Sequence, residues 1–167
     1  MRLILTLFLL VPWLAFAEPN KGIRLKVALS YNLAKFTHWP DSLVNEAFTF
    51  CYFDSSYTDV FSQLKGKAIA KKKIKTRKLD YSEEVSTCQV LYLSKTDQPA
   101  LVSTLLAAQN LPTLTLSDSP GFLSLGGMIE FVVVKNKMRF KVNNTRIKQV
   151  DLNLSSKVLK LALEVRN

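Results

Sequence analysis

Apolar residues follow helical and strand spacing in turn along this chain. From Ile23 to Thr37 they recur at intervals of three and four residues, which predicts an amphipathic helix that Pro40 ends. Phe48 to Phe53 and Cys88 to Leu93 are short runs that are apolar on both faces, as in strands covered on two sides. Ile69 to Leu79 predicts a further strand with many basic positions. Helix and strand therefore alternate through this part of the chain.

The other apolar segments continue this alternation and then add a hairpin. They predict helices at Asp59 to Leu64 and Pro99 to Gln109, a strand at Thr113 to Leu116, a hairpin of Met128 to Val134 with Met138 to Val142, a helical segment at Thr145 to Val150, and a final helix from Ser155 or Ser156 to about Val165. Alternating strands and helices indicate a largely parallel sheet with helices on its faces. The pattern predicts an α/β fold: a three-layer sandwich with a mixed, mainly parallel sheet, a C-terminal antiparallel hairpin and a closing helix.

The first 17 residues have the features of a secretory signal peptide. Arg2 supplies a positive start, a short apolar run follows, and an A-x-A cleavage motif ends at Ala17. A membrane anchor is the alternative, but the run is shorter than the roughly 20 residues of a spanning helix, and Pro12 interrupts it. We expect export, cleavage after Ala17, and a single domain over residues 18–167.

The chain contains two cysteines, Cys51 and Cys88, and each lies in a run that predicts a buried strand. In an oxidising compartment two cysteines indicate a disulfide bond, and neighbouring strands would bring these two within reach. Two buried free thiols are the alternative. A redox-active pair is disfavoured, because the spacing is not C-x-x-C.

Groups that could catalyse a reaction are scarce. His38 is the single histidine and stands beside Trp39 at the end of the first predicted helix, where packing or capping accounts for it. No His/Cys cluster has the spacing of a metal site. Gly126 and Gly127 match neither the dinucleotide-binding nor the Walker pattern, so we interpret them, with Gly121, as structural, with contact between this loop and a ligand as the alternative. The sequence predicts a protein that is not an enzyme and has no metal and no cofactor.

Positive charge is concentrated in one segment of a basic chain. The formal net charge is +10, and loss of the single charge of Arg2 with the signal peptide lowers it to +9. A dense basic run creates a field that attracts lipid headgroups, cell-wall polymers or an acidic protein face, whereas a solvated, lysine-protected edge strand is the simpler explanation. Nucleic acid is disfavoured, because export removes the protein from it and no aromatic residues interleave the lysines. The candidate residues of this anionic-partner surface are Lys71, Lys72, Lys73, Lys75, Arg77 and Lys78.

Two further groups are candidates for contact with a partner. Phe36, Trp39 and Pro40 would form an apolar patch at a helix end, with burial in the core as the alternative. Polar residues at the start of the last predicted helix stand where free N–H groups attract anions, with plain helix capping as the alternative. These candidates for a ligand or partner are Asn153, Ser155, Ser156 and Lys157.

Four blocks in a fixed order carry a family resemblance. They are YNLAKFTHWP, the strand with Cys51, CQVLYLS, and a C-terminal series with LTLSD, PGF, GGMI, MRFKVN and LSSKVLKLA. Together they span most of the chain beyond the predicted signal peptide. In this order and spacing they resemble the YfiR family of exported bacterial regulators.

The resemblance implies a periplasmic α/β protein that can form a homodimer and that restrains an inner-membrane diguanylate cyclase by binding its periplasmic sensor domain. The resemblance further implies an outer-membrane, peptidoglycan-associated lipoprotein that can sequester the regulator, which releases the cyclase to make cyclic di-GMP and promotes biofilm formation. The resemblance also implies a bond between Cys51 and Cys88. The alternative function is a periplasmic small-molecule binding module that serves a sensor kinase or another receptor.

Overall fold

The computed structural model describes residues 20–40, 46–80, 84–94 and 98–167, so the predicted signal peptide lies outside the described residues. The helices are α1 (Lys21–Lys35), α2 (Thr58–Ser62), α3 (Gln98–Ala107), α4 (Asn144–Gln149) and α5 (Ser156–Leu159). The strands are β1 (Thr37–His38), β2 (Phe48–Tyr52), β3 (Ala68–Ile69), β4 (Lys72–Lys78), β5 (Val90–Leu93), β6 (Leu114–Ser117), β7 (Ile129–Val134), β8 (Lys137–Asn143), β9 (Asn153–Leu154) and β10 (Glu164–Arg166). Within these residues, no helix is long and apolar enough to cross a membrane.

Eight of these strands form one mixed sheet in the order β10-β8-β7-β6-β5-β2-β4-β3. Strands β4, β2, β5, β6 and β7 are joined by parallel pairs, and β10 is parallel to β8. The β7–β8 hairpin and the β3–β4 pair are antiparallel. The predicted α/β fold with a mixed, mainly parallel sheet is confirmed. Strands β1 and β9 form a separate two-stranded sheet.

Each face of the large sheet has its own apolar core. Successive side chains of a strand point to opposite faces, and along β2 this sends Phe48, Phe50 and Tyr52 to one core and Cys51 to the other. The first core holds side chains from α1, α2, α4 and α5. The second holds side chains from α3 and from a short 3-10 helix at Phe122–Leu125. Helices on both faces of one sheet account for the three layers.

The disulfide bond lies in the second core. Cys51 on β2 and Cys88, two residues before β5, are both buried, and their Cα atoms are 5.8 Å apart. Because β2 and β5 are adjacent parallel strands, their pairing brings the two cysteines together. The predicted bond between Cys51 and Cys88 is confirmed.

Glycines shape the turn that follows β6. Gly121 and Gly126 flank the 3-10 helix with φ angles of 79° and 95°, in the left-handed region that favours glycine. A Cβ atom on Gly127 would lie 2.2 Å from the buried ring of Phe122. The structural interpretation of these three glycines agrees with this geometry.

Two predicted elements differ from the structure. The final helix does not reach Val165: α5 ends at Leu159, and Glu164–Arg166 is a strand paired with β8. The segment has good helical spacing, but the outer edge of β8 offers unpaired backbone groups, and the Leu163 N–H donates to the Phe140 carbonyl at 2.8 Å. The basic strand predicted from Ile69 is likewise two strands, β3 and β4, because the backbone turns where Ala70 and Lys71 have φ angles of 50° and 63°.

Candidate partner-binding surface and ligand groove

The structure brings two of the candidate groups into one surface. Strand β1 follows α1 and pairs with β9, which precedes α5, so that Thr37 lies opposite Leu154 and His38 opposite Asn153. The Ser155 N–H donates to the Phe36 carbonyl at 3.0 Å. The C-terminal end of α1 and the start of α5 therefore form one continuous surface, which we call the α1–α5 surface.

The apolar candidates on this surface differ in exposure. Trp39 is buried, its Nε1 donates to the Ala34 carbonyl at 3.1 Å, and its ring packs edge-on against Phe48 at 4.9 Å between centroids. Phe36 is 48% exposed, and Pro40 is half-buried. Trp39 thus supports the surface from the core, while Phe36 is the accessible apolar side chain.

The polar candidates on this surface also differ in exposure and in hydrogen bonding. The Ser155 Oγ accepts the Lys157 N–H at 3.3 Å, so this half-buried side chain caps α5. The side chains of Asn153, Ser156 and Lys157 are exposed beside it. Capping accounts for Ser155, and the other three remain predicted contacts.

The basic candidates lie on β4 and its turn, at the far side of the sheet. Ile74 of β4 is buried in the first core, so the alternation of strand side chains places its neighbours Lys73 and Lys75 on the other face. Arg77 lies on that face as well, where its Nη1 donates to the Thr87 Oγ1 at 3.0 Å. The remaining basic candidates, Lys71, Lys72 and Lys78, lie in the turn or on the face of Ile74. A flat anionic partner would therefore meet only part of this group.

A polar cluster joins α1 to the carboxyl ends of β5 and β6. The Lys26 ammonium lies 2.5 Å from the Asp118 Oδ2 and 3.4 Å from the Tyr57 hydroxyl, which is 3.3 Å from the Tyr92 hydroxyl. Burial alone lowers the pKa of Lys26, but the hydrogen bond and negative charge of Asp118 raise it overall. Burial, with the nearby Tyr57 and Asp118, raises the pKa of Tyr92. Lys26 is therefore held as a cation and Tyr92 as a neutral phenol.

A groove of about 280 Å³ opens beside this cluster. Strand β6 ends at Ser117, while β7 continues to Val134, and the step between them forms the groove. The Asp118 Oδ1 is buried and has no hydrogen-bond partner among the described residues. Ligands of open α/β sheets bind at the carboxyl ends of parallel strands. The lining includes Lys26, Asp118, Pro120, Phe131, Val133 and Met138, a mixture of charged and apolar groups.

Metal-ligating side chains do not gather in the described ranges. No group of three or more His, Cys, Asp or Glu side chains is placed there to hold a metal ion. His38 is exposed on β1, away from the polar cluster.

Comparison with known proteins shows the family. The family model described as YfiR/HmsC-like matches residues 23–163, nearly all of the described chain. The chain belongs to the YfiR/HmsC-like family. Members of this family are generally non-catalytic regulators, and the family, with the disulfide, fits an exported protein. No curated protein matches this YfiR/HmsC-like chain significantly.

Solved structures share the fold at low identity. One is a conserved domain protein from Vibrio cholerae O1 biovar eltor, with a TM-score of 0.59 and 11% identity. Another is an ABC domain from Streptococcus pneumoniae in complex with L-Trp, with a TM-score of 0.50 and 12% identity. Each similarity covers 86% of this chain and 60% of the other chain. The YfiR/HmsC-like chain thus spans less than two thirds of these proteins, and the likeness concerns the fold alone.

The polar cluster was missed at the level of sequence. Lys26 appears there as one of several cations on an amphipathic helix, and Asp118 lies 92 residues further along the chain. One sequence signal was available, since Asp118 lies two residues after the predicted strand Thr113 to Leu116, and carboxyl ends of parallel strands are preferred ligand positions. In this YfiR/HmsC-like fold, only the packing of α1 over β5 and β6 pairs that carboxylate with Lys26.

Proposed function

We propose that this chain is a non-enzymatic periplasmic regulator that binds the periplasmic domain of an inner-membrane diguanylate cyclase and restrains its activity. Membership of the YfiR/HmsC-like family over residues 23–163 is the observation that carries the proposal. An outer-membrane, peptidoglycan-associated lipoprotein would compete for the regulator and release the cyclase. The regulator then controls cyclic di-GMP and biofilm formation through binding alone.

The α1–α5 surface is the proposed contact with the cyclase. Regulation by binding requires a surface whose affinity differs between two states of the partner. Phe36 offers an exposed apolar group, and Asn153, Ser156 and Lys157 are exposed polar residues on the same surface. An apolar centre with a polar rim is the usual arrangement of a protein interface.

The test compares strains that differ in this surface. Deletion of the gene should raise cyclic di-GMP, and the wild-type chain should lower it again. Phe36→Asp should fail to restore the low level, because a carboxylate would be buried without a partner at the interface. Leu106→Asp is the matched control, since Leu106 is 57% exposed on α3, on the opposite face of the sheet.

Both variants must accumulate to the wild-type level in the periplasm for the comparison to hold. Unchanged cyclic di-GMP on deletion would refute the cyclase as the target. If Phe36→Asp restores the low level of cyclic di-GMP, that result would refute only the proposed contact through the α1–α5 surface. Capture of the cyclase periplasmic domain by the purified chain, and loss of capture with Phe36→Asp, would connect the phenotype to direct binding.

A small-molecule binding module is the second candidate, and the groove beside Lys26 and Asp118 favours it. Its volume of about 280 Å³ is close to the lower bound of roughly 300 Å³ for ligand pockets. L-Trp is the first probe, because a domain of similar fold was solved with it. Binding should raise the melting temperature of the wild-type chain in a saturable way and should be lost in Asp118→Asn. Equal shifts in both proteins, or none, would exclude L-Trp from the groove.

A further inference from the structure

Strand β4 has a neighbouring strand along only part of its outer side, which is the side away from β2. It has seven residues, Lys72–Lys78, and β2 pairs with the last five of them. On the outer side β3 pairs with the first two, and the Ile74 N–H donates to the Lys67 carbonyl at 2.8 Å. None of the described strands lies outside β4 beyond Ile74. The rest of β4 is therefore an edge of the sheet.

The hydrogen bonds to β2 show which backbone groups of β4 point inward. The Leu79 N–H, directly after β4, donates to the Tyr52 carbonyl of β2 at 2.8 Å. Alternate residues of a strand direct their N–H and C=O groups to the same side. Arg77 and Lys75 therefore direct these groups to β2 as well, which agrees with the register of the parallel pair.

The residues between them point outward. The Ile74 N–H bonds to Lys67, on the side away from β2, and Thr76 and Lys78 follow the same alternation. Their N–H and C=O groups face outward, where no strand of the described chain pairs with them. We call the outward-facing backbone of Thr76 and Lys78 the β4 edge. Backbone groups in this arrangement are a template for a further strand.

Positive side chains flank the β4 edge on both faces of the sheet. Lys73 and Lys75 are exposed on one face, and Lys78 is exposed on the other. The Lys78 ammonium lies 3.7 Å from the Asp80 Oδ1, and both side chains are exposed enough to exchange partners. A flat anionic surface would meet only one of these faces. A strand added at the edge would meet both, because its own side chains alternate between the faces.

We propose that the β4 edge binds an acidic, extended segment of another protein, which joins the eight-stranded sheet as a further strand beside Thr76 and Lys78. Backbone hydrogen bonds hold the segment, as in other cases of strand addition. Carboxylates opposite the lysines select it, because opposite charges in facing positions stabilise a strand pair. A basic segment, or the same edge of a second copy, would set cation against cation and is excluded. This inference goes beyond the proposed function, which uses the α1–α5 surface.

Fluorescence anisotropy with labelled peptides tests the proposal on the purified chain. The probe is a heptapeptide of alternating glutamate and threonine, blocked at both ends. It should bind saturably with a Kd of about 100 µM at low salt, which a few hydrogen bonds and exposed ion pairs can supply. Added salt should weaken binding. The control peptide has the same sequence with every backbone nitrogen methylated, so it keeps the charge and lacks the N–H donors. It should bind at least about tenfold more weakly.

A substitution at Thr76 tests the backbone of the edge. Thr76→Pro removes an outward-facing N–H and leaves pairing with β2 intact, because proline is tolerated where the N–H of an edge strand faces solvent. It should weaken binding of the glutamate–threonine peptide at least about tenfold. Thr76→Val is the matched control, since it keeps every backbone group and should bind as the wild type does.

Charge reversal tests the selection of an acidic segment. Lys73→Glu with Lys75→Glu should weaken peptide binding at least about tenfold, because both facing charges then repel the glutamates. Lys135→Glu with Lys137→Glu is the matched control, since it changes the net charge equally at the exposed turn between β7 and β8. Binding should then stay within about twofold of the wild type, because charges at that distance are screened.

Amide hydrogen exchange locates the peptide without any substitution. In the free chain, the N–H groups of Thr76 and Lys78 should exchange faster than those of Lys75 and Arg77, which face β2. A saturating amount of peptide should slow exchange at Thr76 and Lys78. Bound peptide that leaves exchange at both residues unchanged would contradict strand addition at this edge.

Each outcome decides the proposal. No saturable binding of the glutamate–threonine peptide up to about 1 mM would overturn it. So would equal binding of the methylated peptide, or equal binding by Thr76→Pro, since either result would indicate attraction between charges without strand pairing. Circular dichroism shows whether each variant is folded, and the methylated peptide and hydrogen exchange keep the test valid if Thr76→Pro is not. Loss of cyclase regulation with intact peptide binding would refute the proposed function and leave this inference standing.

Discussion

Removal of the disulfide gives the sharpest prediction about stability. The change is the replacement of both Cys51 and Cys88 by alanine, which deletes the bond and leaves no free thiol. The bond joins residues 37 positions apart. In the chain-entropy model a loop of that length restricts the unfolded chain enough to stabilise the native state by about 4 kcal/mol. That is a large share of the roughly 5 to 15 kcal/mol by which single domains are stable.

Most of this effect arises in the unfolded state, because β2 and β5 remain hydrogen-bonded neighbours without the bond. Urea unfolding followed by far-UV circular dichroism measures it. The double variant should lose about 4 kcal/mol of unfolding free energy. The slope of its unfolding free energy against urea concentration should also steepen, because the unfolded chain becomes more extended. Cys51→Ala alone is the control, since it breaks the same bond and keeps one buried sulfur. A loss below about 1 kcal/mol with an unchanged urea dependence would refute the loop-entropy reasoning.

Three further predictions concern packing, ionisation and capping. Gly127→Ala should destabilise the fold by about 1 to 3 kcal/mol, because its Cβ would meet the buried Phe122 ring at 2.2 Å. Gly22→Ala should stabilise it by about 0.5 to 1 kcal/mol, because open space surrounds that position within α1. Urea unfolding compares the two, and a similar loss from both would contradict the steric account. Burial raises the pKa of Tyr92, so its stabilising effect is complete below the unfolded value of 10.0 and is lost as the pH rises above it. Tyr92→Phe should flatten the fall in stability above pH 10 by up to about 1.4 kcal/mol per pH unit, as measured by melting curves in a pH series. An unchanged slope of stability against pH would show that the ionisation of Tyr92 does not cause the fall. Ser155→Ala should cost about 1 kcal/mol in thermal unfolding if the hydroxyl caps α5, and no loss would indicate that capping is not its role.

Elements with a strong local pattern were predictable. The spacing of apolar residues in α1 and the runs of β2, β5 and β6 are properties of short segments, and the structure has these elements within a few residues of the prediction. The structural role of the glycines around Phe122 was predictable for the same reason, because the left-handed backbone at Gly121 and Gly126 is a local requirement. The disulfide followed from the compartment and from two strand-like runs, although its formation depends on β2 and β5 being neighbours.

The failures occurred where distant partners decided the outcome. The segment from Leu161 to Arg166 has residues that favour a helix, but β8 offered a free edge, and pairing with it outweighs intrinsic propensity. For Trp39 the sequence left a surface patch and core packing equally open, and contact with Phe48 buries it. The pairing of Lys26 with Asp118 required α1 to lie across the carboxyl end of β6.

By itself, the sequence determined the class of fold and the family resemblance, and it predicted an export signal and no recognisable catalytic motif, because each depends on residue types and spacing along the chain. Only the tertiary structure decided which surfaces exist. It joined the ends of α1 and α5 through β1 and β9, opened the groove beside Lys26, and made the end of the predicted last helix the edge strand β10. The physical reason is that a surface is a set of residues brought together by packing and strand order, and neither is encoded in the spacing of any one segment.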